Sequence, residues 1–141
     1  MEQRNNDKNK IRIYVSHPIR GIKGADATKE DMQANNKLAI SFGKFLQAQF
    51  PHVDFYVPAV HDEFVMIGYD ESIFNEDDIL HIDCKIVDTC DAVVAYIPER
   101  HISNGMLVEI THANMTGKPV LVVTDGSAVS SIMRYLKGLG R

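Results

Sequence analysis

A chain of 141 residues, 45% of them hydrophobic, has enough apolar material for one compact domain and leaves little room for a second. Its net charge of −4 and the lack of a long basic run argue against nucleic acid as the main partner. No stretch approaches the roughly 18 apolar residues of a membrane span, so no membrane partner is expected and the chain reads as cytoplasmic.

Residues 1–10 are polar and charged and read as a disordered lead-in, not a signal peptide, which leaves residues 11–141 as a single domain. The β-branched run at 11–15 predicts a first strand, followed by a glycine-rich loop to Asp26. Apolar positions at Met32, Leu38, Ala39, Phe42, Phe45, Leu46 and Phe50 predict a long helix over 28–50, ended by Pro51. A second strand is expected over 53–57, stopped by Pro58. Residues 59–70 show no period and read as an active-site loop. A helix follows over 71–89, then a strand over 92–97, and a helix from about Asn104 to Gly117. A fourth strand covers 120–124, and Ser127 or Ser130 opens a last helix through Leu136. Cys84 and Cys90 are read as lying in a helical stretch, without CxxC spacing, as reduced thiols. The histidines at 17, 52, 61, 81, 101 and 112 show no paired spacing, so neither a metal site nor a cofactor is expected.

Strands alternating with helices define the expected class: an α/β domain, flavodoxin- or Rossmann-like, with a parallel sheet of four to five strands and helices on both faces. Ligands of such sheets bind beyond the carboxyl ends of the strands. That rule gathers the loops at 16–26, 58–70, 98–105 and 125–130.

Two carboxylates stand out against that frame. Gly105, Met106 and Ala113 lie four and three residues before and four after Glu109, so small and apolar side chains share its helical face. A carboxylate buried there must be hydrogen-bonded, paired or functional. Its place in the first turns of the helix favours the ionised form. Taken alone, the stretch is read more simply as an amphipathic helix with one solvated glutamate. Asp83 shares a stripe with Leu80, Val87 and Cys90, flanked by Ile79, Ile82 and Ile86, so desolvation is expected to raise its pKa. It is also readable as a buried aspartate capping a loop. One ionised and one protonated carboxyl make the division of labour used in glycosidic bond cleavage. The first loop, Ser16-His17-Pro18-Ile19-Arg20-Gly21, has backbone N–H groups, a hydroxyl and an arginine suited to a phosphate, without Walker or GxGxxG spacing. Ser103 and Ser130 stand at helix starts, where capping is the usual role of serine.

Together these positions form a pattern. Tyr14 followed by Pro18-Ile19-Arg20-Gly21, then Asp83 with Asp91 eight residues on, the Val93-Val94 strand, and Ser103-x-Gly105-x-x-x-Glu109 resemble the nucleoside 2-deoxyribosyltransferase superfamily. Within it the chain is most similar to the 2′-deoxynucleoside 5′-monophosphate N-hydrolases and pyrimidine nucleotide N-glycosidases, over residues 11 to about 138. The resemblance implies Glu109 as nucleophile towards C1′, Asp83 as acid/base or sugar-orienting carboxylate, and Tyr14 as the residue that sets Glu109 in place. It implies that Ile19, Arg20, Gly21 and Ser103 hold the 5′-phosphate, with Gly105 lining the cleft. Ser130 would reach the phosphate in a neighbouring subunit, which implies a homodimer with shared sites. Pro18 stands where the hydrolases carry a serine, so a phosphate contact is lost or taken over by Ser16, with His17 beside it. Residues 61–70 match nothing in the family and are assigned to the base pocket.

The expected activity is therefore hydrolysis of the N-glycosidic bond of a (deoxy)nucleoside 5′-monophosphate. A 2-deoxyribosyltransferase on the same scaffold is the first alternative, disfavoured by Ser103 and the short C-terminus. A non-catalytic nucleotide-sequestering protein is the second, disfavoured by the presence of both Asp83 and Glu109.

Overall fold

Three of the four strands are short runs of β-branched residues whose alternation decides which helix covers which face. The computed structural model describes residues 10–140, so the lead-in expected over 1–10 lies, apart from Lys10, outside the described residues. The elements are β1 (Arg12–Ser16), α1 (Lys29–Gln49), β2 (Asp54–Tyr56), α2 (Asp62–Asp70), α3 (Glu76–Asp88), β3 (Ala92–Tyr96), α4 (Asn104–Met115), β4 (Val120–Val123) and α5 (Ala128–Gly138). Two 3-10 turns, Gly21–Asp26 and Pro58–His61, join β1 to α1 and β2 to α2. The four strands form one parallel sheet in the order β2-β1-β3-β4.

In β1, Ile13 and Val15 face one side and pack with Ala39, Phe42 and Leu46 of α1 and with Ala128 and Ile132 of α5. Tyr14 faces the other side, with Val93 of β3, Val87 of α3 and Ala113 of α4. Helices therefore cover both faces, which makes this the expected flavodoxin- or Rossmann-like α/β class. Each fully buried aliphatic side chain in these layers contributes about 1.5–3 kcal/mol relative to exposure. Helix α1 starts where Thr28 and Asp31 form a reciprocal capping box and gives way at Phe50, just before Pro51.

Three expectations are corrected. Residues 59–70 are not a loop: they form a 3-10 turn and the nine-residue helix α2. Its apolar residues Phe64 and Ile67 are 74% and 55% exposed, so the outer side is not polar and the amphipathic signature of a surface helix is blurred. The helix after it starts at Glu76, not Glu71, because Asn75 and Asp78 form a second capping box. Residues 71–75 make the turn into α3, packed by Phe74 over Gly68, where a Cβ would sit 2.0 Å from the Phe74 ring. Cys90 is not helical; it is buried in the connection between α3 and β3.

The sheet order reverses between β1 and β3: β2 continues to one side, β4 to the other. In this class the usual ligand position, the switch crevice, is at such a reversal, here the carboxyl ends of β1 and β3. Among the described residues, no helix is long and apolar enough to cross a membrane.

Candidate active site

The crevice holds a glutamate that is almost fully enclosed. Met106, Glu109 and Ala113, spaced three and four residues apart, are the buried stripe of α4 and turn together towards the sheet. Tyr14 and Ser16, two residues apart on β1, point to that same face. Tyr14 Oη donates to Glu109 Oε2 at 2.5 Å, and Ser16 Oγ donates to Glu109 Oε1 at 2.7 Å. Glu109 is 5% exposed, and Tyr14 and Ser16 are 0% exposed. The solvated-glutamate reading is therefore overturned: the carboxylate faces inward and both its oxygens have partners. Asp83, half-buried on α3, lies within hydrogen-bonding reach of Glu109.

Burial sets the electrostatics of this pair. Desolvation pushes the Glu109 carboxyl up to about 7, against the pull of the Tyr14 and Ser16 hydroxyls and with the charge of Asp83 adding to the rise. Desolvation likewise raises Asp83, to about 6. Glu109 was expected to be held ionised by the helix dipole. Instead it sits in the second turn of α4, behind the free N–H groups of the first, and its burial dominates. Both carboxyls thus change protonation near neutrality. A hydrogen bond between two carboxyls needs one proton between them. Glu109, with the higher value, takes that proton first and donates it to Asp83; once it passes to Asp83, which is nearer solvent, the Glu109 carboxylate is freed. The Tyr14 phenol is pushed well above its ordinary value by burial and by the neighbouring charges of Glu109 and Asp83, so it remains a donor.

Other predicted positions fall elsewhere. Ser16 donates its one hydroxyl hydrogen to Glu109 and so is directed away from the loop where a phosphate was expected. His17 is buried, with Nδ1 3.5 Å from the Pro18 carbonyl and Nε2 unpartnered; desolvation lowers its pKa to about 4, so it brings no positive charge at neutral pH. Ile19 is 45% exposed and its carbonyl accepts from Asn35 Nδ2 at 2.8 Å. Arg20 is exposed, with no ion pair among the described residues. Gly21 adopts φ +68°, and a Cβ there would meet Asn35 Nδ2 at 3.1 Å and Glu99 Oε1 at 3.3 Å. A carboxylate therefore borders the loop expected to receive an anion. Ser103 caps α4, accepting from Met106 N at 3.3 Å. Gly105 lies against Leu80, where a Cβ would be 3.7 Å from the Leu80 side chain, an ordinary contact, so the packing of α3 on α4 does not demand a glycine there. Ser130 is exposed in the first turn of α5 and donates to the Ser127 carbonyl at 3.1 Å.

Asp91, part of the recognised pattern, is at the opposite edge of the sheet. It accepts from Arg12 N at 2.8 Å while its own N–H donates to the Arg12 carbonyl at 2.7 Å, tying the amino end of β3 to β1. Two features were missed in the sequence. Tyr56 stacks between Tyr14 and His61, at 5.6 and 5.3 Å between ring centroids, extending an aromatic row from the site to the start of α2. The partnership of Ser16 with Glu109 was legible in principle, since strand alternation places residues 14 and 16 on one face. Among the described residues, no group of three or more His, Cys, Asp or Glu side chains is placed to hold a metal ion.

The class defined by fold and site is thus an open parallel α/β domain with a buried, hydroxyl-held carboxylate and a second carboxyl at its switch crevice. Comparison with protein-family models, with curated proteins and with solved structures found no match.

Proposed function

We propose that the protein hydrolyses the N-glycosidic bond of a (deoxy)nucleoside 5′-monophosphate, giving free base and (deoxy)ribose 5-phosphate. The observation that carries this reading is Glu109 in the switch crevice, oriented through both oxygens by Tyr14 and Ser16, with Asp83 beside it. Glu109 attacks C1′ through an oxocarbenium-like transition state as the C1′–N bond breaks and its electrons leave with the base. Asp83, having taken the shared proton from Glu109, gives it to the departing base. Water then attacks C1′ of the glycosyl-enzyme, returns a proton to Asp83 and frees the Glu109 carboxylate. Exposed Arg20 and the N-terminal turn of α4 are the anion-binding groups of this reading. It includes a homodimer in which exposed Ser130 reaches the partner's phosphate.

A second reading has support of its own. Ser16 is committed to Glu109, His17 is neutral and Glu99 borders Gly21, all of which favour an uncharged 5′ end, as in a deoxyribosyltransferase acting on free nucleosides. One experiment addresses both: ribo- and deoxyribonucleosides and their 5′-monophosphates are incubated with the protein, with and without a second free base, and products are separated by chromatography. Release of base chiefly from a monophosphate, lost in Glu109→Ala, is the expected result. Base exchange on nucleosides selects the second reading, and turnover undiminished in Glu109→Ala removes Glu109 as nucleophile from both.

A further inference from the structure

The first loop was expected to spend its serine on a ligand, yet the hydroxyl is turned inward. Ser16 is the last residue of β1, paired with Ala95 across the switch and 0% exposed. Its single hydroxyl hydrogen points at Glu109 Oε1, 2.7 Å away, while Tyr14 serves Oε2. A carboxylate has about four acceptor positions. Two are taken by these hydroxyls and a third by Asp83 when that group carries the proton, which leaves one lone pair for an electrophile. Resting on the N-glycosidase reading for its chemical meaning, we infer that Ser16 is a positioning residue: with Tyr14 it clamps the two oxygens of Glu109 so that a single lone pair is aimed at the reacting carbon.

The clamp has a geometric basis independent of any substrate. Residues 14 and 16 are separated by one strand repeat, so their hydroxyls approach one carboxylate from two points along β1 and fix its rotation as well as its position. A single donor leaves the carboxylate free to turn about that bond. The titratable groups facing Glu109 are Tyr14 of β1, Tyr56 of β2, and Asp83 and Cys84 of α3. Of these only Asp83 shares its pH range, so a change at Ser16 is read against that one neighbour.

The test uses the full-length protein with 13C-labelled glutamate side chains, following the Glu109 carboxyl by NMR from acid to alkaline pH; Glu109→Gln identifies its signal. A donor to the ionised form lowers a carboxyl pKa, so Ser16→Ala should move the Glu109 titration upward by about one pH unit, and Ser16→Thr should restore it. A Glu109 titration unmoved in Ser16→Ala overturns the inference. In turnover, Ser16→Ala should lower kcat about tenfold with KM nearly unchanged, and shift the acid limb of the pH profile upward with the titration. A serine that only fills space leaves the limb where it was. The titration requires no substrate, so absence of any nucleoside cleavage would remove the functional reading while the titration still decides the clamp.

Discussion

Replacing Glu109 with glutamine removes a carboxyl that burial penalises, and its effect on stability should depend on pH. The carboxyl stands at about 7 in the folded protein against an ordinary 4.5. At about 1.4 kcal/mol per pH unit, that elevation puts about 3 kcal/mol on the folded state once the group is ionised. The sign follows from the direction. A carboxyl raised by folding binds its proton more tightly when folded, so its contribution is fully present below about pH 4.5 and is lost as pH rises through about 7. Glutamine cannot ionise and escapes this loss. It also offers only one acceptor oxygen to two hydroxyl donors, at a cost of about 1 kcal/mol. The net expectation is a variant about 2 kcal/mol more stable than wild type near pH 8 and about 1 kcal/mol less stable near pH 4.5. For a domain of this length, each kcal/mol corresponds to about 3–4 °C in Tm. Glu109→Gln should therefore melt several degrees above wild type in alkaline buffer and slightly below it in acid. Urea denaturation of both proteins at three pH values measures this directly. A difference that does not change with pH, or that runs the other way with the variant gaining in acid and losing in alkali, would refute the assignment of Glu109 as a buried, burial-strained carboxyl.

Two further outcomes separate the site from its scaffold. Tyr14→Phe removes the 2.5 Å donor from Glu109 Oε2, so the acid limb of the pH–rate profile should rise by about one unit and kcat should fall at least tenfold; an unshifted limb would mean that the phenol does not act on the carboxylate. Gly68→Ala puts a Cβ 2.0 Å from the Phe74 ring and should cost about 1–3 kcal/mol, loosening the turn from α2 into α3, with hydrogen exchange rising over residues 62–75 as the readout. Unchanged stability would show that the ring moves aside freely.

What the sequence displayed, and what it hid, follows from where each signal is written. Strand runs and the α1 stripe are local patterns repeated over many residues, so the parallel α/β class, three of five helices and the four strands were legible within a few residues. Helix α2 was not, because its exposed Phe64, Ile67 and Tyr69 deprive it of the polar outer side by which surface helices are usually recognised. The start of α3 was hidden by acidic residues on either side of the true cap at Asn75. The carboxylate pair was legible because helical spacing put Glu109 and Asp83 on apolar faces. The role of Ser16 was hidden for a different reason: loop position alone suggested a ligand contact, whereas its hydrogen-bond partner lies 93 residues away on α4. The approach of Glu99 to Gly21 joins two loops and leaves no trace in either.

The charged groups at the two ends of the strands are held in opposite ways. At the amino edge, Arg12 pairs with Asp54 at 3.2 Å, with side chains 33% and 48% exposed, and Asp91 ties β3 to β1. Those charges hold strands together while keeping contact with water, where an ion pair costs little and gives little. At the carboxyl edge, the fold encloses Glu109 at 5% exposure with no cation among its hydrogen-bond partners, only two hydroxyls and another carboxyl. Structure alone would be better served by an amide or an apolar side chain there, since a burial cost of about 3 kcal/mol is a large fraction of the 5–15 kcal/mol that stabilises a typical domain. A protein that only binds nucleotides has no use for such a group, because a neutral donor or acceptor would recognise the same sugar without the cost. A nucleophile does have a use for it: a carboxylate poorly solvated in the ground state and released by bond formation to carbon gains in the transition state what it lost on burial. On the proposed reading the burial cost at Glu109 is recovered in catalysis, and the inferred clamp by Tyr14 and Ser16 would keep that group aimed.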